Sequence, residues 1–112
     1  MIPIAALLLA TVAAAGEPPP PPAVAAALQA WGQCLNDGVD RVDPAQTPDR
    51  AAQAILDACA ALQANLVAEH GRWVDASVMS DAQKRRARRG MERSLGRLRA
   101  QVARGIRSMR RD

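Results

Sequence analysis

Apolar residues recur along most of this chain in steps of three and four, a spacing that predicts helices and leaves no room for strands. From Ala23 onward, Val24, Leu28, Trp31, Leu35, Val39 and Val42 fall on one face of a first helix. That helix is expected to end near Val42, because proline steers the residue before it out of helical geometry and Asp43-Pro44 opens a turn-like stretch to Pro48. Thr47 then reads as an N-cap and Pro48 as the first helical position, with Asp49 in the first turn, where the helix dipole favours a carboxylate. The second helix carries Ile55, Cys59, Leu62, Leu66, His70 and Trp73 on one stripe, and Leu56, Val67, Val74 and Val78 on another about 100° around it. Two stripes suit a middle helix with a neighbour on each side, and Gly71 leaves open a break within it.

A third helix is expected from Ser80, which forms a capping-box pattern with Gln83, to the C-terminus, with no proline in between. Met91, Leu95, Leu98, Val102, Ile106 and Met109 occupy one sector of this helix, about 80° wide. Arg85, Arg89, Arg93, Arg97, Arg104, Arg107 and Arg111 fill the opposite side. Lys84 and Arg88 stand in line with the apolar sector, which places the first turns beyond any core.

The two cysteines test the hairpin. Facing residues of an antiparallel pair share a nearly constant index sum. Cys34 and Cys59 sum to 93, centred inside the turn between the first two helices, and the same register sets Trp31 opposite Leu62 and Gly38 opposite Ile55. A Cys34–Cys59 disulfide is therefore expected, closing a loop that loop-closure entropy values at roughly 3 kcal/mol. The spacing is far from C-x-x-C, which argues against redox catalysis.

Composition agrees with an all-α fold: Ala is abundant, there is no Phe or Tyr, and Trp31 and Trp73 are the only aromatic side chains apart from His70. Residues 1–16 have no charged side chain and hold the apolar run Ile4 to Ala15, ending in small residues, the layout of a secretory signal peptide too short to span a membrane. Residues 17–22, Glu17 and five prolines, read as a semi-rigid polyproline II spacer. The expected organisation is thus a leader over 1–16, a spacer over 17–22, a helical hairpin over 23–79 and a basic amphipathic helix over 80–112 in a small three-helix arrangement, leaving no transmembrane helix after cleavage.

Charge is divided along the chain. Residues 84–112 hold twelve basic and two acidic side chains, net +10, whereas residues 16–83 hold three arginines and nine acidic residues, net −6. Three uses of the basic helix compete at this point: a bundle helix with a solvated arginine face, a surface for an anionic envelope component such as lipid headgroups, lipopolysaccharide or an acidic protein, and a nucleic-acid binder in a protein that stays intracellular. An exported leader and the lack of an aromatic stacking platform weigh against nucleic acid.

Catalysis finds no support. Ser77, Ser80, Ser94 and Ser108 lack a Gly-rich elbow, there is no phosphate loop, dinucleotide fingerprint or haem-attachment motif, and His70 on the inward stripe reads as a packed histidine. Glu69, His70 and Asp75 match no zinc or di-iron spacing, so no cofactor is expected. The expectation is an exported, non-enzymatic interaction protein of the periplasm or envelope.

Overall fold

The computed structural model describes residues 19–111; the expected leader, Glu17 and the first proline of the spacer lie outside the described residues. Within the described residues the fold is all-α, made of α1 (Pro22–Asp40), α2 (Pro48–Ala58), α3 (Ala60–Ala76), α4 (Asp81–Gly96) and α5 (Leu98–Arg111). The expected first helix is α1, the second is α2 and α3 together, and the third is α4 and α5 together.

The ends of these helices follow local chemistry. Pro21 has extended, polyproline-like geometry (φ −61°, ψ 158°) and caps α1, while Pro22 becomes the first residue of the helix, where its missing N–H costs nothing. α1 stops two residues before Val42. The Asp43 carboxylate accepts the Ala45 N–H at 2.9 Å and the Asp43 carbonyl accepts the Gln46 N–H at 3.1 Å, which together fold the turn. Thr47 Oγ1 accepts the Arg50 N–H, with Pro48 and Asp49 in the first turn of α2. At α4, Ser80 and Gln83 form a reciprocal capping box.

The second helix is bent rather than straight, by 62° at Cys59, and it runs unbroken through Gly71. No proline or glycine sits at this bend. Its cause is the packing on either side: α3 lies along α1, whereas α2 leaves that line to lie along α5. The Cys59 N–H still reaches the Ile55 carbonyl at 3.0 Å, so the bend sacrifices little backbone bonding. The third helix breaks in the same manner at Arg97, just after Gly96, so that α4 follows α3 and α5 turns onto α2. Two bent arms, α2–α3 and α4–α5, therefore run side by side against α1, giving an elongated body of 49 × 25 × 21 Å.

The core lies where α1, α2, α3 and α5 meet. It holds Val24, Leu28, Trp31, Leu35 and Val39 from α1, Ala51, Ala52 and Ile55 from α2, Leu66 from α3, and Leu98, Val102, Ala103 and Ile106 from α5, with Cys59 at the bend. Trp31 is 1% exposed, and its indole N–H has no hydrogen-bond partner. α4 contributes no fully buried side chain; Met91 and Leu95 rest half-buried against the core's edge. Of the second stripe, Val74 near the end of α3 is buried and Val67 farther back along it is exposed, while Val78 falls beyond α3, in the turn before α4, and is fully exposed.

Cys34 and Cys59 are joined by a disulfide with Cα atoms 6.0 Å apart, as their register requires. The same register brings Gly38 against Ile55 so closely that a Cβ on Gly38 would lie 2.7 Å from Ile55 Cγ2. Trp31 and Leu62 differ in fate: Trp31 is buried, while Leu62 stands at the surface where α3 has turned away from the α2 direction.

Candidate anion-binding surface

The arginines of α4 and α5 divide into those that fasten the arm and those that face outward. Arg107 pairs with Asp49 at 3.5 Å, at the N-terminus of α2. Arg110 donates to the carbonyls of Asp43 (3.3 Å) and Gln46 (2.7 Å), tying the end of α5 to the α1–α2 turn. At the other end, Arg88 pairs with the Asp75 carboxylate and Lys84 Nζ donates to the Asp75 carbonyl at 3.0 Å. A cation is favoured there because α3 ends in unpaired carbonyls carrying the negative end of its dipole. Lys84 and Arg88, in line with the apolar sector, thus hold the first turns of α4 to the end of α3.

The remaining members of the expected set behave differently. Arg85, Arg89, Arg93, Arg97, Arg104 and Arg111 are all exposed, and among the described residues none has a hydrogen-bond or ion-pair partner. Arg86 and Arg99 share this state. Arg86 falls in the same helical sector as Arg93, so a full wheel of α4 places it with the row from sequence alone. Arg85, Arg89, Arg93 and Arg97 succeed one another at four-residue steps, about 6 Å apart along the helix. Of the acidic residues of α4, Asp81 stands one four-residue step before Arg85, at the start of the same series, and Glu92 lies three residues past Arg89 at the row's edge.

Other polar groups are tied into local structure. Glu69 pairs with Arg72, and the hydrogen bond and charge of Glu69 hold the Arg72 guanidinium above its ordinary pKa. His70 is 8% exposed and meets Trp73 edge-on at 6.1 Å between ring centroids. Glu69 and Asp75 are engaged by arginines, and among the described residues there is no cluster of metal-ligating side chains. An open groove of about 670 Å³ runs beside the disulfide between α1 and α2, floored by Ala54, Ile55 and Ala58 and rimmed by Gln33, Asp37 and Arg41.

No single helix among the described residues is long and apolar enough to cross a membrane; α2 and α3 reach that length and composition only as a pair, across the bend at Cys59. Comparison with known proteins returns no match to a family model, to a curated protein or to a solved structure.

Proposed function

We propose that this chain is an exported, non-enzymatic interaction protein of the periplasm or cell envelope whose α4–α5 arm engages an anionic partner. The observation that carries the reading is the unpaired row on α4. Like charges at four-residue steps repel, at roughly 0.2–0.5 kcal/mol per pair, so Arg85, Arg89, Arg93 and Arg97 together lower helix stability by about 1 kcal/mol. Among the described residues none of them has a hydrogen-bond or ion-pair partner, and what they return to the fold is limited to Arg93 and Arg97 at the negative end of the α4 dipole. The arm is anchored by other cations, Lys84, Arg88, Arg107 and Arg110, which leaves the row available to something outside.

Two features support the exported setting. A disulfide persists in oxidising compartments, and the uncharged apolar N-terminal run with its small-residue end has the layout of a cleavable leader. The test is fractionation of the native host. The protein is expected in the envelope or periplasmic fraction, starting beyond residue 16, bound to envelope material at low salt and released at high salt. Replacing Arg85, Arg89, Arg93 and Arg104 by Gln should shift it to the soluble fraction at low salt. An intact Met1 in the cytoplasm, or partitioning indifferent to both salt and substitution, would overturn the proposal.

A further inference from the structure

We infer that the partner of the α4 row is the phosphate layer of an anionic lipid surface, held by guanidinium–phosphate contacts at headgroup depth without insertion of apolar side chains. This rests on the function proposed above and names its partner. Three observations lead to it.

The first is the shape of the charge. Arg85, Arg89 and Arg93 extend over about 12 Å along one side of α4, with Arg86 beside them and Arg97 following at the break, and none of them lines the groove beside the disulfide. Such a display meets many anions spread over a surface better than one enclosed ligand.

The second is the absence of an apolar wedge on the same side. Met91 and Leu95, the large apolar side chains of α4, are half-buried against the core. The exposed large apolar side chains among the described residues are Leu62 and Val67 on α3, Val78 in the turn before α4 and Met109 in the last turn of α5. An interfacial helix that buries itself in the acyl boundary turns an apolar face to the lipid, and α4 has already spent its own on the protein. Electrostatic attraction at the headgroups is what remains.

The third is the choice of cation. The row is arginine throughout, and guanidinium forms two parallel hydrogen bonds to a phosphate where ammonium acts as a point charge. Arginine supplies fourteen of the chain's fifteen basic side chains, so the row follows the chain's general usage, and the single lysine, Lys84, serves inside the fold on the Asp75 carbonyl. Nucleic acid presents phosphates too. Reading single strands calls for stacking aromatics, yet Trp31 is buried and Trp73 half-buried, and no Phe or Tyr exists to replace them.

The experiment is sedimentation of the oxidised protein with vesicles of phosphatidylcholine, with and without phosphatidylglycerol. The neutral vesicles measure any contribution of the apolar N-terminal residues, which is common to all variants. Wild type should bind the anionic vesicles preferentially and lose that preference at high salt. The fourfold Arg85, Arg89, Arg93, Arg97→Gln variant should bind up to several hundred-fold more weakly, from about fivefold per arginine. The fourfold Arg→Lys variant, with its net charge unchanged, should bind several-fold more weakly than wild type. Helicity by circular dichroism should be unchanged in both. Inorganic phosphate at matched ionic strength should displace the protein only slightly, since one phosphate replaces one contact of the row.

Equal binding by the Lys variant and wild type would overturn the phosphate inference and leave the anionic-partner proposal standing. Unchanged binding by the Gln variant would remove both. Full displacement by inorganic phosphate would show a single-anion site and overturn the lipid surface, as would tighter binding to duplex DNA than to anionic vesicles at the same salt.

Discussion

Replacing Gly38 by alanine should destabilise this protein, although the same change in an exposed helix interior stabilises. Helix propensity favours alanine over glycine by about 1 kcal/mol. Against this, the new Cβ would lie 2.7 Å from Ile55 Cγ2, 2.9 Å from Cγ1 and 3.3 Å from Cβ. Ile55 borders the groove beside the disulfide but is only 6% exposed, and its β-branched side chain is stiff at χ1, so moving both γ-carbons away from a new Cβ means leaving its preferred rotamer. The disulfide one turn away fixes α1 and α2 with Cα atoms 6.0 Å apart, so the helices cannot part to relieve the contact. Overpacking of this kind costs roughly 1–3 kcal/mol, and the expected net loss for Gly38→Ala is about 1–2 kcal/mol. Urea denaturation of the oxidised protein, followed by circular dichroism, measures it. The sign should reverse in an Ile55→Ala background. There the two clashing γ-carbons are gone, and adding Gly38→Ala should recover up to about 1 kcal/mol of the loss caused by the cavity. A Gly38→Ala protein as stable as wild type, or the same sign in both backgrounds, would refute the close approach of α1 and α2 at this register.

Three further outcomes are expected. Cys34→Ala with Cys59→Ala should lower stability by about 3 kcal/mol in the same assay, and the unreduced wild type should show no alkylatable thiol by mass spectrometry. Leu98→Ala, on the buried face of α5, should cost about 2–4 kcal/mol, while Met91→Ala on the half-buried face of α4 should cost well under half as much; equal losses would contradict the unequal packing of the two segments. Arg89→Gln, which removes like-charge contacts with Arg85 and Arg93, should raise stability by up to about 1 kcal/mol at low salt, with the gain fading as salt is added; a loss would mean that Arg89 has a partner within the fold.

What the sequence makes legible here is what depends on neighbours in sequence. The Thr47 and Ser80 caps, Pro48 at the first helical position and the Asp43 turn are built within a few residues, and the structure forms each of them. The Cys34–Cys59 and Gly38–Ile55 pairings follow from a short turn and a constant register, so arithmetic finds them. The bends at Cys59 and Arg97 escape the periodic pattern because each half-arm keeps a helical stripe but presents it to a different neighbour. Hydrophobic spacing reports that a face is buried and is silent on what buries it. For the same reason the seven arginines look alike on a wheel, yet Arg107 reaches Asp49 across 58 positions of sequence while Arg104, three residues earlier, faces solvent without a partner.

The two bends also explain how a small helical body can display so much like charge. A straight third helix would have to share one apolar stripe between core and surface along its whole length. The break at Arg97 separates the tasks: α5 commits Leu98, Val102, Ala103 and Ile106 to the core and uses Arg107 and Arg110 on the α1–α2 turn, while α4 needs only Met91, Leu95 and the Asp75 contacts to stay in place. α5 can pack there because α2 has left α1's line at Cys59, at the residue the disulfide holds. The cystine and the bend thus coincide at Cys59. From that point α2 receives α5, and α5 continues from α4, whose arginine face stays at the surface.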